Sequence, residues 1–175
     1  MSAGDEIGIS VFVDNSRTGH KMPSGSAELR FLWLELRAYA PGNLPMRAIP
    51  IPVSSDLEGK DRYGVFGGSQ LDRDVSRDDV TKGSRIYRAI LADESGKQTL
   101  SSYDATRTVF DNRLSAAEIR KEVYSFRIPE DAEKRLFLYA DLYYFPYPGS
   151  FAKRLGLPKA DGVVIASTKK VISLE

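Results

Sequence analysis

The chain has 175 residues and a mass of 19.5 kDa, the size of one ordinary domain. Hydrophobic residues make up 42% and charged residues 28%, which excludes an intrinsically disordered composition. The net charge of +1 argues against a protein that binds nucleic acid or anionic membranes through bulk charge. The sequence contains no cysteine and one histidine, which excludes disulfides, thiolate catalysis, covalent haem attachment through CxxCH and metal centres needing several imidazoles.

The ends and the hydropathy pattern give no targeting or membrane signal. Residues 1–6 have neither the basic nor the apolar region of a signal peptide. The most apolar window, 29–40, is interrupted by Arg30, Glu35 and Arg37 and falls short of the ~20 apolar residues of a transmembrane helix. We therefore expect no membrane-spanning segment and no nucleic-acid partner.

The dominant hydrophobic period along the chain is two, which indicates β-strands. Prolines at 50 and 52 restrict the segment 49–53 to an edge strand or a polyproline segment. The other predicted strands are, in chain order, 7–13, 28–40, 86–91, 107–110, 123–128, 136–145, 163–166 and 170–174. Seven to nine short strands separated by turn signals predict an all-β, immunoglobulin-like antiparallel β-sandwich, forming one domain over 1–175. Its predicted core includes Phe31, Trp33, Leu34, Tyr124 and Phe126.

Three segments depart from the strand pattern. Residues 54–85 are rich in charge and glycine and are predicted to form a long loop excursion. The capping-box spacing of Ser115 and Glu118 predicts one helical turn. Residues 150–155, followed by Gly156, predict a short helix with a glycine stop.

Common catalytic and metal-binding motifs are absent. The chain has no phosphate-binding glycine loop, no G-x-S-x-G and no H-E-x-x-H. The acidic cluster at 72–79 lacks the glycine and terminal glutamate of an EF-hand, and its two arginines favour a solvated face over a calcium site. Because nothing places a serine and a carboxylate beside His20, we expect no enzyme and no metal site.

The lone histidine lies in an inter-strand loop, 15–25, that Pro23 stiffens and Gly19 and Gly25 turn. Such a loop can project His20 towards a metal or a partner, and Lys21, Met22 and Pro23 would then contact the same partner. The alternative is an ordinary loop histidine that is hydrogen-bonded to backbone.

An aromatic run follows the predicted strand 136–145. Tyr143, Phe145 and Tyr147 could form an exposed contact surface, because Pro146 and Pro148 end the strand pairing. The alternative is a strand buried on one face, with its tyrosines half-covered by the following helix.

Taken together, these segments resemble the cysteine-free β-domain of certain multihaem c-type cytochromes. In that family a valine-rich strand and an asparagine lead into G-H-K-x-P-[ST]-G and a W-L-x-[VL] strand, followed by D-x-R-[IL]-x-x-x-E, Y-x-F-x-[IV]-P and L-x-Y. Met22, Ser24 and Ala116 depart from the usual residues, and 54–85 is the poorest match. The matching segments are Val11–Asn15, Gly19–Gly25, Arg30–Leu36, Asp111–Glu118, Tyr124–Pro129 and Leu142–Tyr144.

The resemblance implies a non-catalytic module that packs against or supports a multihaem c-type cytochrome in an electron-transfer assembly. It implies a periplasmic or extracellular location and no covalently bound cofactor, with His20 as an axial ligand or neighbour to a haem c of a partner chain. A free-standing β-sandwich that recognises carbohydrate or protein on the cell exterior is the alternative, because sandwiches host many functions.

Overall fold

A computed structural model describes residues 1–41, 48–61, 63–66, 80–132 and 134–175, with 48–51 described by backbone alone. Within these residues the chain forms eleven strands and one helix. The strands are β1 Glu6–Asp14, β2 Phe31–Pro41, β3 Ala48–Ile51, β4 Ser54–Ser55, β5 Arg85–Tyr87, β6 Ala89–Ala92, β7 Gln98–Thr99, β8 Arg107–Asp111, β9 Ile119–Arg127, β10 Arg135–Phe145 and β11 Val163–Ser173, and the helix is α1 Gly149–Leu155.

The strands form three antiparallel sheets. A small sheet has the order β1-β9-β4, and a larger sheet has the order β11-β10-β2-β3, with β5 also paired to β2. A third sheet has the order β7-β6-β8, and one residue separates its strand β6 from β5 of the large sheet. The predicted antiparallel β-sheet fold is therefore confirmed, and the predicted edge strand at 49–53 corresponds to β3.

The core lies between the small and the large sheet, as the alternation of apolar residues predicts. At one end Ile7 and Phe126 of the small sheet pack with Ala38 and Leu138 of the large sheet. At the other end Val13 and Tyr124 pack with Leu32, Leu34 and Tyr87. The five predicted core residues are all buried, with relative exposures of 2–4%.

Among the described residues, the outer face of the large sheet is covered mainly at one end. Phe31, Trp33 and Phe145 pack there against Phe66 and Val80 of the loop excursion. That part of the excursion is ordered against the sheet by a bridge from Val65 to Arg85. The acidic cluster at 72–79 lies outside the described residues.

Three local predictions need correction, and two short strands were missed. The predicted strand 86–91 is divided between two sheets, because buried Arg88 separates β5 from β6. The two predicted terminal strands are one, β11, which pairs with β10 across a register shift near Tyr143. Two-residue strands such as β4 and β7 were not predicted, since so short a run carries no periodicity.

Ser115 and Glu118 form a turn and not a helix. The Ser115 amide donates to the Glu118 carboxylate, as in a capping box. Ala117 has a φ of 58°, however, which breaks helical geometry at once. The short helix α1 is confirmed, and Gly156 ends it in the left-handed region with a φ of 66°.

Candidate functional site

Loop 15–25, which carries the histidine, is built around one buried asparagine. Asn15 follows β1 and is 4% exposed. Its side-chain amide donates to the carbonyl oxygens of His20 at 3.1 Å and Ser115 at 2.7 Å. Its side-chain oxygen accepts from the Thr18 hydroxyl at 2.7 Å. Asn15 therefore ties the backbone beside His20 to the turn before β9, a role that the sequence analysis missed.

The second half of the loop is fixed by main-chain pairing and burial. Met22 and Leu114 exchange two backbone hydrogen bonds of 2.9 Å. Pro23 is fully buried, and the Met22–Pro23 peptide bond is cis. Arg30 donates to the Ser24 carbonyl oxygen at 2.9 Å, and its guanidinium fills the space in which a Cβ on Gly25 would lie. The loop is therefore preorganised.

His20 is exposed, and one of its two ring nitrogens is engaged. Its Nδ1 lies 3.1 Å from the carbonyl oxygen of Lys21. Because a carbonyl oxygen only accepts, this hydrogen bond requires the proton on Nδ1, and in the neutral ring Nε2 then carries a free lone pair. That arrangement is the one that metal-ligating histidines commonly use. The histidine is thus both hydrogen-bonded to backbone and open to a ligand at Nε2.

The lysine beside His20 is paired with an aspartate. Asp111, at the end of β8, accepts from Lys21 Nζ at 3.1 Å and from the Arg113 guanidinium at 2.9 Å. The hydrogen bonds from Arg113, aided by Lys21, hold the pKa of the Asp111 carboxyl well below its usual range although partial burial opposes them. Lys21, predicted as a partner contact, is exposed but held by this pair.

The predicted aromatic contact surface is only partly exposed. Phe145 is 1% exposed and Pro23 is fully buried, so the structure corrects the expectation that these two side chains face a partner. Phe145 packs against Phe31 and Trp33, with 4.8 and 5.9 Å between ring centroids. Pro23 is a buried residue of loop 15–25. Met22 is half-buried.

Tyr143 and Tyr147 are half-buried and keep part of their surface in solvent. The Tyr143 ring stacks on Trp33 with 4.6 Å between centroids and an interplanar angle of 5°. The Tyr147 hydroxyl donates to the Pro158 carbonyl oxygen at 3.1 Å, which closes the segment after α1. Both tyrosines are thus half-covered, Tyr147 beside Phe151 of the following helix as in the alternative, but Tyr143 by Trp33 of β2.

Loop 15–25 and the Tyr147 segment lie at the same end of the sandwich. Val13, just before the loop, packs in the core with Leu32 and Leu34. Phe31, next to Leu32, pairs with Phe145 at the end of β10 that leads into Tyr147. The fold therefore brings the two predicted sites to one end of the molecule.

A buried polar network links the small sheet to the large one. Glu122 on β9 accepts from Arg85 Nε at 3.2 Å and from the Tyr87 hydroxyl at 3.0 Å, and all three residues are 0–7% exposed. Arg85 also binds Asp61 of the excursion. Burial would raise the pKa of Asp61, but the hydrogen bonds from Arg85 and the Gly64 amide outweigh it and lower that pKa. Because its members are distant in sequence, no local pattern predicts this network.

The uncovered part of the outer face carries aromatic rings and cations. Tyr39 and Tyr139 meet edge to face at 5.9 Å, and with Arg37 and Phe137 they line a shallow cleft of about 230 Å³. Lys169 Nζ lies 5.3 Å from the ring centroids of both Phe137 and Tyr139. The alternation in β2 and β10 places these rings on one face, but only the strand register brings them together.

A second cavity, of about 320 Å³, opens where β2 lacks a strand neighbour between β5 and β3. Its charged lining residues are paired, Lys82 with Glu58 at 3.5 Å and Arg37 with Glu35 at 3.7 Å. Among the described residues, no group of three or more His, Cys, Asp or Glu side chains is placed to hold a metal ion. In the same residues no helix is long and apolar enough to span a membrane.

Comparisons with known proteins give one structural likeness. No protein-family model matches the sequence, and no curated protein does. The fold is similar to part of a penta-haem cytochrome c552 from Thermochromatium tepidum, with a TM-score of 0.62 and 23% sequence identity. The likeness covers 98% of this chain and 37% of that chain. This chain thus has the fold of a portion of a multihaem cytochrome, and with no cysteine it attaches no haem c covalently.

Proposed function

We propose that this protein is a non-catalytic β-sandwich module that packs against the haem-bearing part of a multihaem c-type cytochrome in an electron-transfer assembly. The likeness of nearly the whole chain to 37% of a penta-haem cytochrome chain carries the proposal. The lack of cysteine supports it, because the haems of such an assembly must then be attached to other polypeptide. A periplasmic or extracellular location goes with this function.

Capture of the partner tests the packing role. The tagged chain is incubated with an extract of its source organism, and bound polypeptides are stained for haem and identified by mass spectrometry. A CxxCH-containing polypeptide that also binds the purified chain in isolation is the expected result. Recovery of no haem-stained polypeptide, or failure of the purified pair to bind, would contradict the proposal.

We further propose that His20 ligates or neighbours a haem of that partner through Nε2. The exposed ring, the Nδ1 contact to the Lys21 carbonyl and the rigid loop support this role, because a preorganised ligand loses little entropy on binding. Lys21, Met22, Tyr143 and Tyr147 lie on the same loop or at the same end of the sandwich and are the residues proposed to contact the partner there.

An absorption spectrum tests the ligand role. Mixing the chain with its purified haem-bearing partner should shift the Soret and visible bands, and His20→Ala should abolish the shift. Arg17→Ala, an exposed change in the same loop, serves as the control and should leave it intact. An unchanged spectrum on mixing would exclude ligation while leaving the packing role in place.

The aromatic cleft supports a second candidate function, recognition of carbohydrate on the cell exterior. Sugar rings stack on aromatic faces, and the tyrosine hydroxyls, Arg37 and Lys169 would supply hydrogen bonds. Glycan-array binding that is lost in Tyr139→Ala and kept in Tyr147→Ala would favour this function over the cytochrome role.

A further inference from the structure

The last strand is exposed to solvent along most of its length, although it pairs with β10 throughout. β11 pairs with β10 on one side and is the edge of the large sheet on the other. Of its residues only Ile172 is buried, and the rest are exposed on both faces of the strand. Four of the exposed side chains are large and apolar, Val163, Val164, Ile165 and Val171, with relative exposures of 46–56%. We call residues 163–171 the β11 overhang.

Two features of the β11 overhang oppose its pairing with a further strand. Ala166 pairs with Leu142 and Val164 pairs with Tyr143, so Ile165 is an extra, bulged residue. Lys169 and Lys170 occupy the middle of the regular stretch that follows. Bulges and central lysines are the devices by which edge strands avoid edge-to-edge association. A partner of the overhang therefore covers its faces and does not extend the sheet.

The charge of the overhang favours an acidic partner. The strand 163–173 contains two lysines and no acidic residue. Asp141, the acidic residue of β10 that pairs with Ser167, is already bound by Arg37 and by the Ser167 hydroxyl. Lys169 Nζ lies over the Phe137 and Tyr139 rings, and within the described part of the chain neither Lys169 nor Lys170 is paired with a carboxylate. Carboxylates of another molecule could therefore pair with these lysines, and complementary charge of this kind steers association.

We propose that the β11 overhang docks an acidic, apolar-centred face of the haem-bearing polypeptide. This inference rests on the proposed function and adds where on the chain that partner binds. A fold that occurs as 37% of a longer penta-haem chain is one that coexists with further polypeptide, and exposed apolar residues on the same strand as charged ones are typical of the surface through which such parts meet.

A charge reversal tests the docking surface. The probe is the purified CxxCH-containing polypeptide identified by capture, and binding is measured by titration. The double variant Lys169→Glu with Lys170→Glu should raise Kd at least tenfold. The control, Lys60→Glu with Lys121→Glu, makes the same change of charge at exposed positions elsewhere and should leave Kd within twofold. Raised salt should weaken the wild-type complex more than the complex of the 169/170 variant.

Hydrogen exchange on the unmodified chain gives a second reading that needs no variant. Complex formation should protect amides in 163–171. An equal Kd for the two double variants, or protection confined to loop 15–25, would overturn the docking surface and leave the proposed function standing. Protection of 163–171 in the free chain through self-association would show that the overhang binds a second copy of this chain, and would overturn the inference. If the wild-type chain binds no haem-bearing polypeptide, both proposals fail.

Discussion

At the scale of single residues, the geometry around His20 depends on two side chains with opposite roles. Asn15 is a neutral, buried organiser of the backbone, and Asp111 is a partly exposed acid that holds two cations. Neither would touch a ligand on His20. Both nevertheless determine where the imidazole is held, so their substitution separates loop order from ligand chemistry.

Asn15→Ala should destabilise the protein by about 1–3 kcal/mol, because it removes the side-chain donor to the Ser115 carbonyl oxygen and one of the two donors to the His20 carbonyl oxygen. Denaturant unfolding with a linear extrapolation measures this free energy. Ser10→Ala, an exposed change on β1, is the control and should lie within about 0.5 kcal/mol of wild type. Equal stability of the two variants would show that Asn15 does not organise the loop.

Asp111 should make stability depend on acid pH. Its pKa is lowered in the folded protein, so its contribution is fully present above the unfolded pKa of about 3.9 and is lost as pH falls through the lower folded value. Asp111→Asn should cost about 1 kcal/mol at pH 7, a modest figure because the ion pairs are partly exposed, and clearly less at pH 2, where part of the contribution is already lost. Thermal melts at both pH values measure the difference. A cost that does not change with pH would exclude the ion pairs as its cause.

At the scale of elements, a close approach of the backbone at 162 to the Trp33 ring joins the start of β11 to β2. Gly162 precedes β11, and a Cβ built on it would lie 2.1 Å from the Trp33 ring. Trp33 in turn stacks on Tyr143 of β10. The approach of β11 to the sheet thus requires a residue without a side chain at 162.

Gly162→Ala should displace the Trp33 ring and destabilise the protein by about 1–3 kcal/mol through overpacking. Trp33 is the single tryptophan, so its fluorescence reports this site directly, and we expect a red shift of emission. Gly8→Ala on β1, where an added Cβ meets nothing within 4 Å, is the matched control. Unchanged emission and stability in Gly162→Ala would contradict the packing described here.

At the scale of the whole molecule, two sheets and the loop excursion share one buried ion pair. Arg85 of β5 and Glu122 of β9 lie at 7% and 4% exposure, and Asp61 of the excursion also binds Arg85. Removal of one partner from such a pair is far more costly than replacement of both, since a lone charge would stay buried.

Arg85→Met alone should therefore destabilise the fold, because it leaves Glu122 as a buried charge without its cation, while Arg85→Met with Glu122→Leu should recover part of the loss. We expect about 3–5 kcal/mol for the removal of one charge from the pair. A double-mutant cycle by denaturant unfolding measures the coupling, with circular dichroism to confirm folding. Additive effects of the two single changes would show that Arg85 and Glu122 do not act as a pair.

The sequence by itself determined the antiparallel β-sheet class and the burial of Trp33, Tyr124 and Phe126. It also determined the edge strand at 49–53 and the short helix that ends at a glycine. These follow from hydrophobic period and from proline and glycine stereochemistry, which act over a few neighbouring residues. The missing cysteines also fixed that no haem c is attached to this chain.

The tertiary structure decided everything that depends on residues far apart in the chain. It divided 86–91 between two sheets, buried Phe145 and Pro23, and brought Asn15, Ser115 and His20 into contact. It also left β11 exposed on both faces, although valine and isoleucine make up about half of its residues, as is typical of buried strands. The reason is that a local pattern specifies which face of a strand is apolar, whereas only the arrangement of the other sheets determines whether that face is covered.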